Sequence, residues 1–168
     1  MGGFVFYGGV IGGMISCYIG SKATKIDIKE YLSISMPGIA FAHGFGRLGC
    51  NLAGCCYGIY YDGPFSRIYE HSLFAPNHVH LFPVQVVEAI FEFMIAFILL
   101  YVYFKITTRY DVMTMIYLTS YSLIRFILEF FRGDAVRGFV GILSTSQVIS
   151  LLILIVIIIC CLKKTHVK

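Results

Sequence analysis

The stretch "SLLILIVIIICCL", Ser150–Leu162, is apolar at almost every position and is followed at once by Lys163 and Lys164. A helix that is oily all round, with basic residues at its end, belongs in hydrocarbon and not on the surface of a water-soluble domain. The rest of the chain agrees. Of its 168 residues 58% are hydrophobic and 13% charged, and the mean hydropathy is +0.83. Soluble domains are nearer half apolar and a quarter charged. The fold class read from this is an all-α, polytopic integral membrane protein. The length suits one domain of about five spans at roughly 20 residues each.

Five apolar segments are drawn, at roughly Phe4–Gly20, Leu32–Ala53, Val84–Phe104, Val112–Phe131 and Phe139–Leu162. The first is rich in glycine, and its "YGGVIGG", Tyr7–Gly13, reads as a small-residue helix-packing face. The second is interrupted by Pro37, His43 and Arg47, and the fourth holds Arg125 and Glu129. Polar residues at such positions imply a protein-lined cavity. No basic n-region precedes the first segment, so no secretory signal peptide is expected.

Loop charge sets orientation. With the N-terminus outside, the inner side holds Lys22, Lys25, Lys29, Lys105, Arg109, Lys163, Lys164 and Lys168. The outer side holds only Arg67, Arg132 and Arg137, which places the C-terminus inside. The loop from about Ile59 to Phe82 is then external and reads as irregular. Its His71 and His78 read as solvated, and His80, just before "LFPVQVVEA", stands closer to the polar region.

The polar residues follow helical spacing. His43 and Arg47 share a face, as do Tyr121, Arg125 and Glu129, with Arg132 near the end of that segment. Gln85, Glu88 and Glu92 form a stripe on the third segment, and the fifth opens with "LSTSQ", Leu143–Gln147. Most of these groups lie toward the outer ends of their segments, where they can converge. A buried arginine costs about 2.5–3.5 kcal/mol to insert. Either Arg125 pairs with Glu129 or Glu88 and fixes packing, or the two arginines, with few acids near, await an anion. A guanidinium binds phosphate in bidentate fashion, and the abundant phosphate of a membrane is a phospholipid headgroup.

The second segment runs into "AHGFGRLGCNLAGCCYG", Ala42–Gly58, with Cys50, Cys55 and Cys56 beside polar residues. Their spacing is not a standard zinc pattern, and a vicinal disulfide is strained. The readings are close packing beside the glycines, or a thiol that contacts substrate and is activated by Arg47. Cys17, Cys160 and Cys161 lie in apolar runs and read as small hydrophobes.

"FYGGVIGG", "AHGFGRLGCNLAGCCYG", "LFPVQVVEA", "RFILEFFRGD" and "LSTSQVISL" occur in the order seen in bacterial prolipoprotein diacylglyceryl transferases, and the resemblance covers nearly the whole chain. It implies a multi-pass protein of the bacterial cytoplasmic membrane that moves the diacylglyceryl group of phosphatidylglycerol onto the lipobox cysteine of a preprolipoprotein. The partners it implies are phosphatidylglycerol, that lipobox signal peptide and membrane lipid, with no nucleic acid, no cofactor and no metal.

By the same resemblance Arg47 falls on the arginine of a "GRxGN" signature, with Gly46 and Gly49 as its glycines. Arg125 and Glu129 fall on an "RxxxE" helix. Arg47, Arg125, Gly46, Gly49, Cys50 and Cys55 are the expected phospholipid-binding residues. Arg125, Glu129, Tyr7 and His43 are the expected catalytic ones, with Tyr7, His43 and Glu129 as alternative bases. The chain departs from the pattern in having Tyr7 for a histidine, Cys50 for the signature asparagine and Cys55 for its closing glutamate. The resemblance further implies that residues 1–168 are a single transferase-like domain, and that the family carries two more spans ahead of it. Two alternatives stand beside the transferase: a divergent paralogue with cysteine-dependent chemistry on another lipid or acceptor, and a non-catalytic lipid-binding membrane protein.

Overall fold

The computed structural model describes the backbone of residues 3–134 and 138–166, and the side chains of residues 12, 13, 15–134, 138 and 141–163. It is mainly helical. α1 runs Gly3–Thr24, α2 Ile28–Ala53, α3 Val84–Lys105, α4 Tyr110–Leu128 and α5 Thr145–His166. A single 3-10 turn, Glu129–Phe131, extends α4, and two short antiparallel strands, β1 (Phe139–Val140) and β2 (Leu143–Ser144), precede α5.

Each expected segment contains a helix, with two corrections. The fifth segment does not begin as a helix at Phe139. Gly141, at φ +64, turns the β1–β2 hairpin, and α5 starts at Thr145. The sequence reason is a reciprocal cap, in which Ser144 Oγ accepts from Gln147 N–H and Gln147 Oε1 accepts from Ser144 N–H. "LSTSQ" is therefore first a helix start. The second correction concerns α1. An added Cβ at Gly12 or Gly13 would meet nothing within 4 Å, so no described residue packs on these two glycines. Gly8 and Gly9 lie outside the residues whose side-chain surroundings are described.

Among the described residues, three helical stretches are long and apolar enough to cross a membrane: Val84–Lys105, Tyr110–Phe131 and Thr145–Lys163. α5 carries Ile149, Leu152, Ile155, Val156, Ile158 and Ile159 exposed, as a lipid-facing helix does. α2 does not reach that apolarity, because Pro37, His43 and Arg47 fall within it, and the first half of α1 lies outside the residues whose side chains are described.

α2 packs along α3 and α4 around Met36, Ala40, Ile95, Ala96, Leu99, Val102 and Met113. Ala40, Ala89 and Ala96 are fully buried. Small side chains let helix backbones approach, and van der Waals contact then replaces the hydrophobic drive that lipid cannot supply. At one end of the bundle α2 stops, α3 starts, α4 stops and α5 starts. The segment between α2 and α3 covers this end, with its own small core of Tyr69, Ala75 and Leu81. Bridges Gly58↔Arg132, Tyr60↔Leu81 and Arg67↔Leu81 tie it down, so it is more ordered than an irregular loop. At Gly58 an added Cβ would overlap Phe82 O, so only glycine lets these two strands of backbone cross.

Candidate active site

His43 and Arg47 stand one helical turn apart on α2, and Glu92 and Glu88 one turn apart on α3. The helices are antiparallel, so four residues forward on one matches four back on the other. His43 Nδ1 lies 3.1 Å from Glu92 Oε1, and Arg47 Nε lies 3.1 Å from Glu88 Oε1. Both carboxylates are buried, at 2% exposure for Glu88 and 1% for Glu92. The Arg47–Glu88 contact is a charge pair without a directed hydrogen bond, for neither atom has a hydrogen-bond partner among the described residues. It engages Arg47 through Nε and leaves the terminal nitrogens outside the contact.

α4 closes the third side with Tyr117, Tyr121, Arg125 and Glu129, each four residues from the last. Tyr117 Oη is 3.3 Å from His43 Nδ1, and the Tyr121 ring centroid is 4.9 Å from that of His43. Tyr121 lies within electrostatic reach of both Arg47 and Arg125. Two guanidinium groups from different helices thus act on one tyrosine. Arg125 Nη2 sits 2.6 Å from Glu129 Oε2 and donates to Ser146 Oγ at 3.0 Å. Its Nη1 is buried with no partner among the described residues. Glu129 is shared, with Arg132 Nη1 at 3.8 Å, and Arg132 in turn pairs with Asp134 at 2.6 Å.

The expectation of few acids near the arginines is therefore overturned. Each arginine has its own carboxylate, Glu88 for Arg47 and Glu129 for Arg125, because helix packing brings α3 against α2 and Glu129 follows Arg125 by one helical turn. The pairing of Arg125 with Glu129 weighed from spacing is present. What survives of the anion reading is unused donor capacity: an unpartnered Nη1 on Arg125 and the terminal nitrogens of Arg47.

Next to this cluster the end of α2 folds back on itself. Gly54 takes the left-handed conformation at φ +76, and its N–H bonds to Cys50 O. Cys55 N–H also bonds to Cys50 O, at 3.2 Å. This return turn carries Cys55 and Cys56 beneath Cys50. The three Sγ atoms lie within 4.8 Å of one another, each half-buried. Cys56 is itself left-handed at φ +56, a conformation side chains rarely adopt. Gln85 Nε2 fixes the turn by donating to Cys55 O at 2.9 Å. The Cys56 thiol is drawn down to about 5, first by the hydrogen bond from Cys50 and then by Arg132 and Arg47, against burial and Asp134. Burial pushes the Cys55 thiol up.

The structure thus gathers His43, Arg47, Arg125, Glu129, Cys50 and Cys55. Gly46 and Gly49 face open space, where an added Cβ would meet nothing within 4 Å. The Tyr7 side chain lies outside the described residues. Gln85 of the polar stripe serves the cysteine turn. His80 bonds Ser66 Oγ at 2.8 Å within the covering segment. Sequence reasoning missed Tyr117 and Asp134, and had Ser146 only as part of "LSTSQ". Tyr117 was findable, one turn before Tyr121 on the same face. Asp134 was not, since only the turn around it aims its side chain.

The family described as prolipoprotein diacylglyceryl transferase matches residues 1–163. A phosphatidylglycerol–prolipoprotein diacylglyceryl transferase of Clostridium tetani is 45% identical over 149 residues, 89% of this chain and 59% of its own length. An enzyme of that name numbered 2 in Clostridium perfringens is 43% identical over 151 residues, 90% of this chain and 58% of its own. The relative in Chlorobaculum tepidum is 31% identical over 153 residues, 90% of this chain and 52% of its own. The chain thus spans a little over half the length of these relatives.

Proposed function

The chain belongs to the prolipoprotein diacylglyceryl transferase family, and from that premise we propose that it carries out the family's reaction or its central part. The diacylglyceryl group of phosphatidylglycerol passes to the lipobox cysteine thiol of a preprolipoprotein, and glycerol phosphate leaves. The protein works as a multi-pass protein of the bacterial cytoplasmic membrane, N-terminus outside and C-terminus inside, with its polar cluster toward the outer leaflet. Residues 1–168 act as one transferase-like domain.

The observation that carries this reading is that half-buried Arg47 and buried Arg125, from different helices, both act electrostatically on Tyr121, each with donors left over. A lipid phosphate entering beside Gly46 and Gly49 meets both guanidinium groups. As the thiolate sulfur attacks the glyceryl carbon, the C–O bond breaks and its electron pair stays on the phosphate oxygen. Fixed positive charge at that oxygen favours the transition state over the ground state. Of the three candidate bases, the geometry favours His43. Its Nδ1 faces Glu92 and Tyr117, which leaves Nε2 to accept the thiol proton. Glu129 is committed to two guanidinium groups.

The test is direct. Membranes carrying this chain, from a host depleted of its own transferase, are incubated with phosphatidylglycerol and a lipobox peptide. Mass spectrometry then looks for the diacylglyceryl thioether. Product that disappears with Arg125→Ala supports the reading. No product from an inserted, folded chain moves the weight to a lipid-binding protein without catalysis.

A further inference from the structure

The three cysteines are not needed by the chemistry just described, yet the fold brings them together at some cost. Cys50 lies on the last turn of α2, and Cys55 and Cys56 return to it only because Gly54 and Cys56 both adopt left-handed backbone. A non-glycine residue held in that region costs of order 1–3 kcal/mol and points toward function. The spacing, five and six residues from Cys50, looks wrong for a metal when read along the chain. In space it is suitable. Three thiolates bound to one zinc ion at about 2.3 Å stand roughly 3.8 Å apart. The Sγ atoms, already within 4.8 Å of one another, need close by only about 1 Å.

We propose that Cys50, Cys55 and Cys56 bind a thiophilic divalent ion, zinc in the first instance, whose open fourth position takes the thiol of the acceptor cysteine. Sulfur-only ligands select zinc and other soft ions over magnesium or calcium. Three protein ligands with one position open is the arrangement of a catalytic zinc site, whereas a structural site closes all four. The surroundings compensate the charge. Three thiolates and a divalent cation carry one negative charge, and a fourth thiolate makes two. Arg47 and Arg132 both act electrostatically on Cys56. Gln85 fixes the backbone that presents Cys55 and Cys56 by donating to the Cys55 carbonyl at 2.9 Å.

This inference rests on the transferase reading for its acceptor, and it adds a source for the nucleophile. A metal-bound thiol is deprotonated outright near neutral pH. The acceptor thiol gives up its proton on binding, by way of solvent to His43, and its sulfur keeps the electron pair on the metal. That pair forms the new C–S bond while the C–O bond to phosphate breaks toward the phosphate oxygen. The metal is neither oxidised nor reduced, and the thioether, a weaker ligand than a thiolate, leaves the fourth position.

The experiment reads binding without turnover. The full chain in detergent is stripped with a chelator and titrated with cobalt(II), which replaces zinc and is coloured. One equivalent is expected to bind, with an intense near-ultraviolet thiolate-to-cobalt band. Zinc should displace it. Single Cys50→Ser, Cys55→Ser and Cys56→Ser substitutions should each weaken binding at least about tenfold, in protein whose circular dichroism is unchanged. A lipobox peptide should raise the band by about one third, as three metal–sulfur bonds become four, and its Cys→Ser analogue should not. Absence of stoichiometric binding by folded wild-type protein, or binding indifferent to all three substitutions, overturns the site. Binding with no response to the thiol peptide overturns the open position. Transfer that persists after chelation rejects the metal and leaves the transferase standing. Metal and thiol binding without any transfer sinks the transferase reading alone.

Discussion

Arg47 and Glu88 face each other across the α2–α3 interface with Nε 3.1 Å from Oε1, and His43 and Glu92 repeat the contact one turn away in the same antiparallel register. Buried charges that pair in register lock two helices against sliding, because a shift of one residue leaves both pairs broken. The same contacts hold the Arg47 guanidinium and the His43 ring at fixed positions before any lipid arrives. Such prior placement is what makes electrostatic stabilisation effective.

Arg125→Lys should reduce diacylglyceryl transfer by at least about 100-fold, roughly 2.7 kcal/mol of transition-state stabilisation. Lysine keeps the charge but loses the fork that meets Glu129, Ser146 and a phosphate together. Thioether formation on a lipobox peptide, followed by mass spectrometry, measures it. Full activity in the lysine variant would defeat the phosphate-clamp role.

Glu129→Gln should destabilise the protein by about 3–5 kcal/mol, since it leaves Arg125, and in part Arg132, as uncompensated buried charge. Thermal unfolding in detergent should show a clear drop in Tm. An unchanged Tm would mean that Ser146 and Asp134 suffice to hold the two arginines.

Gly46→Ala and Gly49→Ala should leave Tm equal or slightly higher, because alanine is favoured over glycine within a helix by about 0.5–1 kcal/mol and no atom stands in the way. Transfer should nevertheless fall, with KM for phosphatidylglycerol rising, if the open space is where the lipid lies. Unchanged kinetics in both variants would place the lipid elsewhere.

His43→Gln should lower kcat by about 100-fold or more, the range of a lost general base, with a smaller change in KM. Glu92→Gln should lower kcat less, because it removes the group that positions the ring and not the ring itself. Steady-state transfer in vesicles separates the two effects. Equal losses in KM alone would assign both residues to lipid binding.

Gly54→Ala should cost at least about 1–2 kcal/mol, the penalty of a left-handed non-glycine residue, and more where the new Cβ overlaps Ser72 Oγ. The return turn should open, and a bifunctional thiol crosslinker that joins Cys50 to Cys56 in the parent should lose its yield. Retention of that crosslink would show that the turn does not depend on Gly54.

Much of this was legible in the chain. The oily run Ser150–Leu162 marked a membrane helix, and four-residue spacing put His43 beside Arg47 and Arg125 beside Glu129. Periodicity reports which residues share a face of one helix, and those relations are local. It did not report that α5 begins only at Thr145, although the capping pair Ser144 and Gln147 was visible in "LSTSQ".

What the sequence determined alone was helix content, membrane character and the polar residues each helix carries, because these follow from residue chemistry and a period of 3.6. Only the tertiary structure decided which acid answers which arginine, that Glu129 is shared by two of them, and that Cys55 and Cys56 come back to Cys50. Those outcomes depend on helix register and on backbone turns at Gly54 and Cys56. Register is settled by packing between segments far apart in the chain, and no local pattern encodes it.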